Sequence, residues 1–116
     1  MAEFKIESVQ EGNVLVVRTT GYLDEPGGAA LKDACEKALT AGHLRYVLNL
    51  TGTPVINSTG LSMLLDLMVK IIDYNDGKVA LTGLSKLTKT ALQMTGVLNL
   101  CQNFPTEAEA VAAVNA

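Results

Sequence analysis

Val47-Leu48-Asn49-Leu50-Thr51-Gly52 leads through Thr53-Pro54 and Val55-Ile56 into Asn57-Ser58-Thr59-Gly60-Leu61. This one passage holds a strand, a loop and a helix start. Tyr46 to Leu50 is a short apolar run bounded by turn residues, the pattern of a buried strand. Thr51 to Pro54 is a loop, because Gly and Pro punctuate regular structure there. Asn57, Ser58 and Thr59 carry side-chain oxygens that accept hydrogen bonds from the unpaired N–H groups of a first helical turn, so they mark a helix start. The helix that follows runs to about Tyr74. A buried strand feeding a helix is the repeating unit of an α/β protein.

The flanking sequence extends the pattern in both directions. Upstream, Phe4 to Val9 alternates apolar and polar residues, Glu11-Gly12-Asn13 reads as a hairpin turn, and Val14 to Val17 continues as a more buried strand ending near Thr20-Gly21. Asp24 or Glu25 then caps a helix with Pro26 in its first turn, where a missing N–H costs nothing. Leu31, Ala34, Cys35, Ala38 and Leu39 recur at helical spacing on that helix, and Gly42 ends it. Because a helix precedes the strand at Tyr46, that strand is expected to lie parallel to an earlier one.

Downstream, Asn75-Asp76-Gly77 turns the chain and Val79-Ala80-Leu81 forms a strand. Ser85 caps a helix whose apolar residues are Leu87, Ala91, Leu92 and Met94, and Gly96 stops it. Leu98 to Cys101 is predicted as a short strand. Thr106, with Glu109 three residues on, forms a capping box for a last helix. The order ββαβαβαβα predicts one α/β domain over residues 1–116. It has a mixed sheet of four to five strands and about four helices packed on it, with no linker or repeat.

Composition narrows the function. In 116 residues, 48% are apolar and 18% charged, a balance that supports a packed core of its own. The net charge of -3 gives no basic patch to neutralise phosphates, which argues against direct nucleic-acid binding. No apolar run reaches membrane-spanning length, and the opening MAEFKIESVQ lacks the apolar stretch of a signal peptide, so a cytoplasmic location without membrane insertion is expected. Cys35 and Cys101 are too far apart in sequence for a CxxC motif and read as reduced, mostly buried thiols. His43 is the only histidine, and there is no Ser/His/Asp set, metal-ligand cluster or GxxxxGK[ST] loop. Gly27-Gly28 resembles a fragment of a phosphate loop but lies inside a helix start. The chain therefore reads as a non-enzyme without cofactor or metal.

Between Leu61 and Asp73 the polar positions are Ser62, Asp66, Lys70 and Asp73. At about 100° per residue they occupy a stripe roughly 80° wide, and the rest of the helix is apolar. Two readings follow. Neighbouring helices cover the excess, or part of it, around Met63 and Leu67, is a docking surface for another protein. Methionine suits docking because it repacks easily. The run Asn57-Ser58-Thr59 reads first as a cap, but it also leaves hydroxyls at the positive end of a long helix. A phosphate there is tolerated by the fold and adds about -1.5 to -2 charges beside an apolar face.

The passage from Val47 to Gly52 and from Ile56 to Leu61 resembles the signature of STAS-domain anti-sigma-factor antagonists, in which a buried strand leads to Asp-Ser-Ser/Thr-Gly-Leu at a helix start. Gly21-Tyr22-Leu23-Asp24 followed by Ala30 and Leu31 resembles the family's turn into its first helix. Leu92-Gln93-Met94-Thr95-Gly96-Val97 resembles the end of its third, and Phe104 with Glu107 and Glu109 its acidic last helix. The resemblance covers nearly the whole chain. It implies that the unphosphorylated protein binds an anti-sigma factor that is also a serine/threonine kinase, releasing the sigma factor. Phosphorylation at Ser58 then ends binding and a metal-dependent serine phosphatase reverses it. It further implies partner contacts through Asp24, Asn57, Ser58, Thr59, Gly60, Leu61 and Met63, with Thr59 as alternative acceptor and a monomer or weak dimer as the state. The family usually carries Asp where this chain has Asn57, which caps a helix about as well.

A second function fits the same resemblance: a non-switching STAS scaffold or transporter-associated subunit that docks a protein partner through the helix following Ser58.

Overall fold

The computed structural model describes residues 3–115. Its strands are β1 (Lys5–Glu11), β2 (Val14–Thr20), β3 (Arg45–Gly52), β4 (Lys78–Thr82) and β5 (Asn103–Phe104), and its helices α1 (Glu25–Thr40), α2 (Ser58–Val69), α3 (Lys86–Thr95) and α4 (Glu107–Asn115). The strands lie in the order β1-β2-β3-β4-β5. β1 and β2 form an antiparallel hairpin with Glu11 opposite Val14, so Gly12 and Asn13 make a two-residue turn. Gly12 takes φ +61° there, a conformation that glycine adopts at little cost. β2, β3, β4 and β5 are mutually parallel, as strands joined through helices must be. This is the α/β mixed sheet with four helices that the sequence predicts.

Side-chain alternation sorts the sheet into two faces. Val17, Tyr46, Leu48, Leu50, Val79 and Leu81 point to the larger core, where Leu31 and Cys35 of α1, Leu64, Leu67 and Met68 of α2 and Leu92 of α3 meet them. Val14, Val16, Val47 and Ala80 point the other way and are covered by Ala110 and Val114 of α4. Central strands buried on both faces explain the nearly unbroken apolar runs at Val14–Val17 and Tyr46–Leu50.

One helix covers the second face, and polar contacts fix it there. Arg18 of β2 grips Glu107 at the start of α4 with two hydrogen bonds, Nε to Oε1 at 2.8 Å and Nη2 to Oε2 at 2.9 Å. Its remaining Nη1 donates to Glu7 at 2.6 Å, and Asn49 Nδ2 donates to Glu107 Oε1 at 3.0 Å. Strand register brings these groups together, since Glu7, Arg18 and Asn49 stand opposite one another across β1, β2 and β3. The Arg18 guanidinium, and after it Asn49, holds the Glu107 carboxyl down at about 2. At the far end of α4, Arg45 Nη1 donates to the Val114 carbonyl at 2.6 Å.

Two sequence expectations are corrected. Leu98 to Cys101 is not a strand. Val97–Asn99 forms a single 3₁₀ turn directly behind Gly96, which closes α3 in the left-handed region, and the short strand is Asn103–Phe104. A brief apolar run has the same composition whether it lies in an edge strand or a tight turn, so periodicity does not separate them. The helix from Ser58 toward Tyr74 is α-helical only to Val69, and Lys70–Tyr74 widens into a π turn. Of the apolar positions on α3, Leu92 is buried and Ala91 half-buried, whereas Leu87 and Met94 are 60% and 84% exposed.

Candidate functional site

Because β2, β3 and β4 are parallel, the loops that leave them toward α1, α2 and α3 gather at one end of the sheet. Each loop ends on a capping side chain. Asp24 Oδ1 accepts from the Gly27 N–H at 3.0 Å, Asn57 Oδ1 from the Gly60 N–H at 2.8 Å, and Ser85 Oγ from the Thr88 N–H at 3.1 Å. Backbone bonds stitch the loops together. Leu23 N–H donates to Val55 O at 3.1 Å and Asn57 N–H donates to Leu23 O at 3.2 Å, while the Ser85 hydroxyl donates to Pro54 O at 2.8 Å. A cluster of three capped helix starts results, with α2 next to the α1 entry loop.

Ser58 is the first residue of α2 and Thr59 the second, and both are exposed. Their backbone N–H groups belong to the first turn, which has no partners inside the helix, and the helix dipole leaves that end positive. The first turn of α2 contains no acidic residue. Asn57, not Ser58, is the capping residue, so the Ser58 hydroxyl is not required for the cap.

The remaining predicted positions play different parts. Asp24 and Asn57 are half-buried and their side chains are engaged in capping. Gly60 is buried, and a Cβ there would run into the Leu23 carbonyl, so only glycine lets α2 start this close to the α1 entry loop. It has no side chain to offer a partner. Leu61 is half-buried against the larger core. Met63 is half-buried against α1, where its Sδ lies 2.6 Å from the place a Cβ on Gly28 would take.

Of the two readings left open for the apolar excess of α2, packing against neighbouring elements accounts for Leu67. Leu67 is fully buried, and none of the large exposed apolar side chains among the described residues belongs to α2. They are Leu44, Val55, Tyr74, Leu87, Met94 and Leu100. Gly28 of α1 lacks the side chain that would hold Met63 and α2 away, so apolar surface of α2 is spent on helix packing. Of the two glycines that resemble a loop fragment in sequence, Gly28 is a helix contact in the fold and Gly27 lies against Phe4 and the Tyr22 carbonyl. Exposed apolar surface near the Ser58 end comes from Val55, 44% exposed in the loop before α2. Leu87 adds to it from the first turn of α3, whose cap is tied to Pro54. The signal for Val55 was present: a surface loop had no packing need for a second apolar residue beside Ile56.

The two thiols are poor nucleophiles. Burial, followed by the charge of Glu36, pushes Cys35 up to about 12, and burial pushes Cys101 up to about 11. His43 is half-buried, and its carbonyl accepts from the Tyr46 hydroxyl at 2.8 Å.

The five-stranded mixed sheet and the capped helix start at its strand ends define a class of small α/β modules, and the particular family is shown by direct comparison. A model of the STAS domain matches residues 5–110, and the chain belongs to that family. A comparison with curated proteins finds no match. Among solved structures, a candidate anti-sigma factor antagonist of Thermotoga maritima is 19% identical, with 96% of this chain and 95% of that chain covered at a TM-score of 0.86. The anti-sigma factor antagonist SpoIIAA in its unphosphorylated form is 20% identical over 98% of this chain and 99% of that one, with a TM-score of 0.75. The Bacillus SpoIIAA in its phosphorylated form is 21% identical over 97% and 99%, with a TM-score of 0.74. A sulfate transporter family protein of Wolinella succinogenes is 18% identical over 92% and 88%, with a TM-score of 0.71. At these identities the likeness is one of fold.

Proposed function

We propose that this chain is a one-domain cytoplasmic anti-sigma-factor antagonist acting as a partner switch. Its unphosphorylated form binds an anti-sigma factor that is a serine/threonine kinase and frees the sigma factor. Phosphorylation at Ser58, with Thr59 the alternative acceptor, ends binding, and a metal-dependent serine phosphatase restores it. The protein is a binding module with no catalytic residue and no cofactor. The observation that carries this reading is the exposed Ser58 hydroxyl at the first position of α2, outside the capping bond and at the positive end of the helix. A dianion there gains from the helix dipole and leaves the core untouched. That SpoIIAA, a protein of the same fold, is solved both with and without phosphate supports a fold that tolerates the modification.

The partner contact in this reading spans Ser58, Thr59 and the exposed Val55, with Asp24, Asn57, Leu61 and Met63 setting the shape beneath it. A phosphate set against a tight interface costs several kcal/mol, so binding weakens roughly a hundredfold. The test incubates the chain with ATP and its cognate kinase and maps the phosphate by mass spectrometry of the Ser58/Thr59 peptide. Ser58→Asp is expected to weaken kinase binding about a hundredfold with melting nearly unchanged. Unlabelled Ser58 and Thr59 together with unaltered binding by Ser58→Asp would sink the reading. The match to a sulfate transporter family protein favours one alternative, a transporter-associated or scaffold subunit that docks permanently. It predicts no phosphate at Ser58.

A further inference from the structure

The two edges of the sheet differ. β5 is a two-residue edge, too short to template another strand, whereas β1 presents seven residues, Lys5–Glu11, along the other side. Native edges are usually blunted by proline, a bulge or a covering element. β1 has no proline and no glycine, its pairing with β2 runs without interruption from Lys5–Thr20 to Glu11–Val14, and all seven residues are exposed or half-buried. The remaining defence would be charge, and here the charges are arranged symmetrically. Lys5 and Glu11 stand at the two ends with Ser8 midway. Neither end charge belongs to an ion pair among the described residues, while the intervening Glu7 is held by Arg18 at 2.6 Å.

We propose that β1 pairs antiparallel with β1 of a second copy of this chain about a two-fold axis through Ser8, joining two sheets edge to edge. A two-fold axis normal to the sheet keeps each sheet face on its own side, so facing residues must share a face and the axis must pass through a residue. Centred on Ser8, all seven residues pair. Lys5 faces Glu11 of the second copy, Glu11 faces its Lys5, Ile6 faces Gln10, and Glu7 faces Val9. Centred on Glu7, two glutamates oppose each other. Centred on Val9, Glu7 opposes Glu11 twice. Centred on Ile6, only Lys5 to Glu7 pair and the rest of the edge stays bare. The charge pattern thus selects one register and one occupant. The pairing lies along the side of the sheet and leaves Ser58 exposed, so it stands or falls independently of the switch.

Sedimentation equilibrium from about 10 to about 500 μM separates the outcomes. The wild-type chain is expected to show a concentration-dependent monomer–dimer equilibrium. Lys5→Glu sets glutamates opposite Glu11 at both ends, and Glu11→Lys sets lysines opposite Lys5, so each single variant is expected to weaken the dimer roughly tenfold or more. The double variant Lys5→Glu/Glu11→Lys restores both pairs with reversed sign and is expected to return to within about threefold of wild type. Far-UV circular dichroism and thermal melting of each variant, at these exposed positions, are expected to match wild type. A wild-type chain that stays monomeric throughout overturns the proposal, as do single variants that dimerise unchanged and a double variant that fails to recover.

Discussion

α2 and α4 both begin where a strand of the parallel sheet ends, yet their first turns are furnished differently. α4 opens with two acids, Glu107 and Glu109, and Glu107 is gripped by Arg18 and Asn49 from the sheet below. α2 opens with Ser58 and Thr59, has no acid in its first turn, and leaves both hydroxyl residues exposed. The favourable electrostatics of a helix start are used in α4 to hold the helix on the sheet and are left open in α2. A helix whose seating already depends on packing, as α2 does through Leu64, Leu67 and Met68, has no need of a charge at its start. A charge added there therefore leaves the packing that seats α2 unchanged.

The seating of α2 is most sensitive at Gly60. Glycine in a helix normally costs roughly 0.5–1 kcal/mol relative to alanine, so Gly60→Ala elsewhere would stabilise. Here the new Cβ meets the Leu23 carbonyl, and α2 must shift away from the loop that carries Asp24. We expect destabilisation of about 3 kcal/mol or more, read by urea denaturation. A stabilised Gly60→Ala variant would mean that α2 starts farther from the α1 entry loop than the structure places it.

Much of this was legible in the chain beforehand, and the exceptions have physical causes. The α/β order, the hairpin at Gly12, the helix starts at Pro26, Asn57 and Ser85 and the capping box at Thr106 all rest on local chemistry, which the sequence carries directly. The Thr106 hydroxyl does accept from the Glu109 N–H at 3.1 Å. What was not legible depends on contacts distant in sequence. Met63 looks like surplus apolar surface until Gly28 brings α1 against it, and Leu67 until the larger core closes over it. The Arg18–Glu107 grip joins residues 89 apart in sequence, and no local pattern announces it.

A moderate effect is expected at the other helix start. The folded pKa of Glu107, about 2, lies below its ordinary 4.5. Its contribution to stability is therefore present in full above about 4.5 and is lost as pH falls toward about 2. Glu107→Gln removes that dependence. Its melting temperature is expected to be lower than wild type at neutral pH and to converge with wild type as the pH drops through that window. The pair is part-exposed, so salt is expected to shrink the difference. Parallel melting curves of the two proteins from pH 5 to pH 2 would show that the grip does not anchor α4.

The smallest effect on stability, and the sharpest probe of the contrast, is expected from Asn57→Asp. Asparagine and aspartate cap helices about equally, and the carboxylate gains only a few tenths of a kcal/mol from the helix dipole, so urea midpoints should be nearly superimposable. What changes is the charge one residue before Ser58, at a helix start that otherwise lacks an acid in its first turn. If partner docking depends on the charge state of that surface, Asn57→Asp adds the same single charge as Ser58→Asp but on a half-buried side chain whose oxygen already accepts from the Gly60 N–H, so it should weaken binding of the partner by a smaller factor than Ser58→Asp does. Capping geometry is the same in both, so a difference in binding without a difference in stability isolates charge as the controlling variable. Equal binding by wild type and Asn57→Asp, alongside weakened binding by Ser58→Asp, would instead assign the effect to the shape of the residue at position 58 and not to the electrostatics of the α2 start.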